Sequence, residues 1–296
     1  MAVPFLWFRA KGQWFPSVFL WKSAIYISIA IWYTKQSKLF DYKKEGIVMD
    51  QWHYALDYQV SSTDTDAAYE YRPSSLFVLL QKAITNHAKS IGMDRDDVLS
   101  KYNCYWMVLR IFVHLNRPII WGENVRCVAV SRRPAGTRIY WDCDLYIGEE
   151  CVGEASTIWV LANRKTKRPI LLESLPELPT ENPEGAKDIT VSRIQFPADM
   201  EVQDQRKLYY SDTDINGHIS NIRYVDLACD AAELNLRPYG VFLQEITMSY
   251  VGECYAGEQL TIRRGKEDGA IFIHGSGPDQ SDRFDCKIVM SSTQGL

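Results

Sequence analysis

Residues 53–60, HYALDYQV, read as a short strand whose apolar and polar side chains alternate. A second stretch of this kind stands at 206–211, RKLYYS, and each runs into a polar Asp-Thr-Asp turn, Asp64 to Asp66 and Asp212 to Asp214. Behind each turn the spacing becomes helical. Leu76, Leu79, Leu80, Ala83, Ile84, Ala88 and Ile91 fall on one face, with Ser74 or Ser75 placed to cap the start and Gly92 to end it. In the second copy Ile222, Val225, Cys229, Ala232 and Leu236 do the same behind a Ser220 cap, with Pro238 beyond the end. Strands follow in both copies. The first has NVRCVAVS and RIYWDCDLYI around the turn-forming RRPAG, then CVGEASTIWVLANR after Gly148; the second has LQEITMSYV, EQLTIRRGK, AIFIHGSG and RFDCKIVMSS.

One helix followed by several antiparallel strands, twice over, specifies the α+β class. A long, largely apolar helix buries its surface only if a sheet wraps around it, which is the hot-dog arrangement, and two such units in tandem can share one sheet as a pseudo-dimer. The expected organisation is an N-terminal hot-dog domain over 49–172, a linker over 173–200 and a C-terminal hot-dog domain over 201–296. The linker opens with the Pro- and Glu-rich, aperiodic ESLPELPTENPEGAKD. Because the tandem copy already supplies the pairing that single hot-dog chains obtain by dimerising, a homodimer stays open.

Residues 1–48 differ in kind, an atypical hydrophobic extension. The segment FPSVFLWKSAIYISIAIWY at 15–33 is about long enough to cross a bilayer, yet Lys22 near its middle costs about 2.5–3.5 kcal/mol on insertion. No small-x-small cleavage site follows Ile31. A weak anchor, an extra packing segment and translated upstream sequence before a start at Met49 are the three readings. The last is preferred, because the first patterned strand follows Met49 at once; no stable membrane insertion is expected of 49–296.

Composition narrows the function classes. With 46% hydrophobic and 24% charged residues the chain has a sizeable core, and a net charge of −4 gives no basic footprint for nucleic acid. The seven cysteines are odd in number and scattered without a C-x-x-C pair, so free thiols in a reducing cytoplasm are expected rather than disulfides or a zinc knuckle. No H-E-x-x-H or comparable cluster points to a metal, and no cofactor is expected.

The duplication serves as an internal control. Matching the two turns sets Asp66 against Asp214, Ala68 against Asn216 and Glu70 against His218, while WGENV at 121–125 matches AGEQL at 256–260 and sets Pro118 against Glu253 and Ile119 against Cys254. The framework appears twice; the Asn, His, Glu and Cys appear only in the second copy. That set fits hydrolysis. Asn216, Gly217 and His218 precede a helix whose N-terminal amides favour a carbonyl oxygen or an oriented water, and Gly217 lets the backbone approach a substrate closely. His218 is the natural proton carrier near pH 7. Glu253 can act as base toward water, or Cys254 as nucleophile if His218 stabilises its thiolate, with Asp214 orienting a neighbour. Ser220 reads as an N-cap, Asp212 as turn chemistry because Asp64 repeats it, and His53, His87, His114 and His274 are assigned no chemistry.

At these residues the chain resembles the acyl-acyl carrier protein thioesterases, which end fatty-acid elongation. DTDINGHISNIRYVDLACDA resembles the family's Asp-x-Asn-x-His-x-x-Asn-x-x-Tyr block and MSYVGEC its second block, ending in Glu-Cys; AITNHAKSIG and STIWVLANRKTKRPI resemble non-catalytic stretches. The resemblance runs from about residue 50 to the end. It implies a double hot-dog fold with the acyl-chain pocket in the N-terminal half and catalysis in the C-terminal half by Asp214, Asn216, His218 and Glu253. Cys254 matches the nucleophile of an alternative, papain-like scheme; water activated by Glu253 and His218 is preferred. The implied partner is an acidic acyl carrier protein, for which Arg132, Arg133, Arg138, Lys165, Lys167 and Arg168 are candidate contacts by charge. A coenzyme A thioesterase on the same fold is the nearest rival. A hot-dog dehydratase and an acyl-sensing regulator are further ones. Chain-length preference is not legible, although Leu76, Leu80 and Ile84 mark where a pocket floor would be.

Overall fold

The computed structural model describes residues 7–10, 13–16, 52–183, 186, 187, 189 and 191–293. The chain forms two compact units, 1–48 and 49–296. In the first, β1 (Trp7–Ala10) pairs antiparallel with β2 (Gln13–Pro16). Residues 17–48, with most of the hydrophobic stretch weighed above, lie outside the described residues. Among the described residues no helix is long and apolar enough to cross a membrane.

The second unit runs β3 (His53–Gln59), a 3-10 turn (Ser62–Asp64), α1 (Pro73–Ser90), α2 (Arg95–Tyr102), β4 (Cys104–Leu115), β5 (Asn124–Ser131), β6 (Ile139–Ile147) and β7 (Glu150–Asn163). It continues with β8 (Glu201–Lys207), a 3-10 turn (Tyr210–Asp212), α3 (Asn221–Ala231), a 3-10 turn (Leu234–Leu236), β9 (Val241–Tyr250), β10 (Gln259–Glu267), β11 (Ala270–Ser276) and β12 (Asp282–Ser292). All ten strands form one antiparallel sheet in the order β3-β5-β6-β7-β4-β9-β12-β11-β10-β8. The order is the same from either edge once β8–β12 are read for β3–β7. The halves join where β4 meets β9, with Arg110 opposite Ser249 and His114 opposite Glu245. This is the α+β tandem hot-dog architecture expected from the repeat.

The sheet buries one face of each long helix. Leu76, Phe77, Leu79, Leu80, Ala83 and Ile84 of α1 are all essentially inaccessible, and full burial of each large apolar side chain contributes about 1.5–3 kcal/mol. Trp106, Trp141 and Trp159 meet edge to face beside α1, where the Trp141 indole donates to His87 Nδ1 at 3.0 Å. Asn221 of α3 donates to Gln81 of α1 at 3.1 Å, tying the two helices together.

Several local expectations change. α1 starts at Pro73 with Arg72 at the cap rather than at Ser74 or Ser75, because proline is preorganised for the first helical position. α3 ends at Ala231, and Leu236 is exposed in the following 3-10 turn instead of on the buried face. The strand expected at 206–211 is β8, which ends at Lys207; as an almost wholly exposed edge strand it lacks the apolar alternation that would mark it. The extra helix α2, capped by Asp94 accepting from Asp96 N and Asp97 N, exists only in the first half. The linker starts beside α2, where Lys101 and Tyr102 donate to Glu177 at 3.1 and 2.8 Å, and continues past β6 and β4. There Lys187 N donates to Asp142 at 2.8 Å and its ammonium pairs with Asp144 at 2.6 Å, while Arg110 donates to Val191 O at 2.9 Å.

Candidate active site

Both halves build the same turn from the same bonds. In the first, Asp64 accepts from Ser61 N at 2.9 Å, Asp66 accepts from Ala68 N at 2.8 Å, Asp66 N donates to Glu70 O at 2.9 Å and Tyr71 N to Ile119 O at 2.7 Å. In the second, Asp212 accepts from Tyr209 N at 2.9 Å, Asp214 from Asn216 N at 2.8 Å, Asp214 N donates to His218 O at 2.8 Å and Ile219 N to Cys254 O at 2.9 Å. The matches Asp66/Asp214, Ala68/Asn216, Glu70/His218 and Ile119/Cys254 therefore hold in space. Gly217 sits at φ +77° and its counterpart Tyr69 at φ +62°, so the turn itself demands left-handed backbone in both halves. What distinguishes Gly217 is open space: a Cβ there would meet nothing within 4 Å.

The surroundings of the two turns differ. In the first half Trp121 N donates to Tyr69 O at 2.9 Å and the two exposed rings stack at 6.2 Å on the turn's outer side. Arg237, reaching over from the second half, donates to Asp66 at 2.8 Å and to Glu70 at 2.9 Å. Burial pushes the Glu70 carboxyl up, against the pull of that arginine. In the second half no bond equivalent to Trp121 N–Tyr69 O is formed among the described residues, and polar groups gather there instead. His218 Nε2 stands 3.6 Å from Glu253 Oε2, within ion-pair range but longer than a hydrogen bond. Tyr255 donates to the same Glu253 oxygen at 3.1 Å and meets the His218 ring edge to face at 5.2 Å.

Asp214 and Asn216 form an exposed pair, the Asn216 amide reaching the Asp214 carboxylate at 3.4 Å in addition to the backbone bond. Ser220 caps α3, its hydroxyl accepting from Ile222 N at 3.3 Å, so Asn216, Gly217 and His218 belong to the turn before the helix rather than to its first turn. Cys254 is separated from this group. Its neighbours Glu253 and Tyr255 face solvent, while its thiol is fully buried beside Tyr224. Burial pushes that thiol above its ordinary value of 9.0, outweighing the nearby Tyr224 hydroxyl and Arg283 guanidinium, which pull the other way.

A cavity of about 30 Å³ lies not here but at the counterpart turn, between Asp66, Glu70, Ile119 and Arg237 and the apolar Phe242 and Ile246. That is room for about one water and far short of an acyl chain. Among the described residues no group of three His, Cys, Asp or Glu side chains is placed to hold a metal.

Of the basic residues singled out by charge, Arg132 is consumed in a buried ion pair with Asp142 at 2.6 Å. The turn after β7 is different: Arg164, Lys165, Lys167 and Arg168 are exposed, and none forms an ion pair among the described residues. Lys167 lies over the Tyr105 ring at 5.2 Å. Tyr255 is the site residue that sequence reasoning missed. The one available signal was that Tyr255 stands where the first half has Ile120.

Models of the acyl-ACP thioesterase N-terminal and C-terminal domains match residues 51–174 and 197–294. A chloroplastic oleoyl-acyl carrier protein thioesterase of Coriandrum sativum is 26% identical over 222 residues, 65% of this chain and 58% of that protein. A chloroplastic acyl-[acyl-carrier-protein] hydrolase of Cuphea viscosissima is 23% identical over 238 residues, 74% of this chain and 56% of that one. The chain thus spans little more than half the length of these relatives. In fold it is similar to an acyl-ACP thioesterase from Bacteroides thetaiotaomicron, with a TM-score of 0.72 at 19% identity over 82% of this chain and 100% of the other. It is also similar to the 12:0-ACP thioesterase from Umbellularia californica, with a TM-score of 0.71 at 17% identity over 83% and 99%.

Proposed function

Because the chain belongs to the acyl-ACP thioesterase family, we propose that it hydrolyses the thioester of fatty acyl-acyl carrier protein, releasing the fatty acid and ending its elongation in fatty-acid biosynthesis. The observation that carries this reading is the convergence of His218 and Tyr255 on Glu253 beside the Asp214–Asn216 pair, on a framework whose other copy has Glu70, Pro118 and Ala68 instead.

In the proposed reaction the Glu253 carboxylate takes a proton from water as the water oxygen attacks the thioester carbonyl carbon. Asn216, one amide hydrogen engaged by Asp214, offers the other to the carbonyl oxygen as negative charge develops there. The tetrahedral intermediate collapses with cleavage of the C–S bond. His218 takes that proton from Glu253 and delivers it to the departing sulfur, giving the carboxylic acid and the free thiol of the carrier and leaving both side chains as they began. Cys254 takes no covalent part: its thiol is buried and its ionisation is suppressed.

The acyl chain is assigned to the first half as the family resemblance implies; Leu76, Leu80 and Ile84 of α1 are closed against the sheet, so they would have to part to admit it. The exposed cations Arg164, Lys165, Lys167 and Arg168 are assigned to the acidic carrier, because they cluster on one turn and none is taken up in an ion pair among the described residues. All seven cysteines are free, which suits a reducing compartment such as the cytoplasm. The test is hydrolysis by the full chain of an acyl series offered both on carrier protein and on coenzyme A. A preference for the carrier thioesters is expected. Equal or better turnover of the coenzyme A series would make the protein a general acyl-CoA hydrolase and remove the case for a docking turn; no turnover of either would refute the assignment.

A further inference from the structure

We propose that Tyr255 is a positioning residue of this site, holding one oxygen of Glu253 so that the other is presented to water. The inference rests on Glu253 being the base. Both neighbours of the Glu253 carboxylate converge on one atom: the Tyr255 hydroxyl donates to Oε2 at 3.1 Å, and His218 Nε2 faces the same Oε2 at 3.6 Å. Oε1 has no protein partner among the described residues, so it is the oxygen left to accept a proton.

Glu253 needs such a hold. It lies in the loop between β9 and β10, its side chain is 36% exposed, and no backbone amide pins it. A glutamate in that setting samples several rotamers, of which few aim an oxygen at a bound thioester. Tyr255 also packs edge to face on His218 at 84°, so one side chain limits the rotation of both the base and the proton carrier. In the other half Ile120 stands at this position and Pro118 at that of Glu253: the hydroxyl occurs only where there is a carboxylate to hold.

The charged and titratable groups around Tyr255 are Glu253 and Glu258 on its own loop, His218 on the turn, and Tyr105 on β4 with Lys167 over its ring. The hydrogen bond to Glu253, followed by burial, holds the Tyr255 hydroxyl above its ordinary value of 10.0, so it stays a donor at neutral pH.

The experiment compares parent, Tyr255→Phe, Glu253→Gln and the double variant as full chains on acyl-carrier-protein substrate. Phenylalanine keeps the ring against His218 and, at a position 46% exposed, leaves the fold intact. Tyr255→Phe is expected to lower kcat about tenfold with KM within about twofold of the parent, and to leave the residual rate of Glu253→Gln unchanged, since no carboxylate then remains to be oriented. If Tyr255→Phe turns over like the parent while Glu253→Gln is inactive, the inference falls and the base assignment stands. It also falls if the phenylalanine lowers both backgrounds equally, because the hydroxyl then acts elsewhere. Full activity of Glu253→Gln would overturn both readings together.

Discussion

The choice between water and Cys254 as the attacking group can be settled by two substitutions whose effects the structure sets far apart. Cys254 is 0% exposed, and burial holds its thiol above its ordinary value of 9.0, which disfavours the thiolate a nucleophile needs. Cys254→Ala deletes one sulfur from a close-packed core, which costs about 1–2 kcal/mol of the roughly 5–15 kcal/mol that holds a domain folded. Its kcat is expected to stay within about fivefold of the parent, with the loss appearing as a lower urea midpoint. Glu253→Gln keeps the shape and the contact to Tyr255 but removes the proposed base, and loss of general-base catalysis is expected to lower kcat about 10²–10⁴-fold, equivalent to roughly 2.7–5.5 kcal/mol on the barrier. Steady-state hydrolysis of acyl-carrier-protein gives both values, and mass spectrometry of enzyme quenched during turnover reports any acyl group on Cys254. A folded Cys254→Ala protein slower by 10³ or more, a Glu253→Gln protein near parental rate, or an acyl thioester captured on Cys254 would each refute the reasoning.

Three further outcomes follow from the geometry. Arg237→Ala strands Asp66 and the half-buried Glu70 beside each other and should lower the free energy of unfolding in urea by about 2–4 kcal/mol; a change under 0.5 kcal/mol would show that the ion pairs add nothing. Charge reversal at Lys165 and Lys167 should raise KM for acyl-carrier-protein about tenfold at low ionic strength, with the difference shrinking in 0.5 M salt, roughly a 4 Å screening length; an unchanged KM at low salt would place the docking surface elsewhere. Burial tends to raise the Asp64 carboxyl, but hydrogen bonds from Ser61 and Tyr58 outweigh it and hold the group below its ordinary value of 3.8. The folded value is therefore below the unfolded one, so its stabilisation is full above pH 3.8 and lost as pH falls through the folded value. Asp64→Asn should lower the thermal midpoint at pH 7 and match the parent near pH 2, whereas a constant difference at both would remove the charge from the account.

The repeat was legible because both of its parts carry strong local signals. Apolar residues at helical spacing mark α1 and α3, and the strands that cover them alternate or run apolar between glycine turns. β8 was misplaced because an exposed edge strand has no buried side to imprint a period, and α2 was missed because a short, polar helix held by its Asp94 cap leaves almost no apolar face. At the candidate site the sequence paired each turn residue with its counterpart, since the register of a duplicated turn follows from two fixed offsets. It did not reveal which way Cys254 points, because that depends on which face of the strand-like 253–255 segment the core takes. Nor did it mark Arg237, whose partners are 171 and 167 residues away and which nothing local distinguishes from a surface arginine.

Arg237 explains why the two copies are not interchangeable. A turn with Asp66 and Glu70 in place of Asp214 and His218 brings two carboxylates together against an apolar cavity wall and provides no proton carrier. Left alone, that pair would be self-repelling and desolvated. The arginine answers this by giving Nη2 to both carboxylates, while its Nε and Nη1 bond Val241 O and Leu234 O and anchor it in its own half. At the matched turn the same framework leaves His218, Glu253 and Tyr255 partly open to solvent, with no arginine paired to them among the described residues. The difference between the copies thus lies less in the turn, which both build with the same backbone bonds, than in what covers it: a cross-half clamp on one side, an accessible carboxylate on the other.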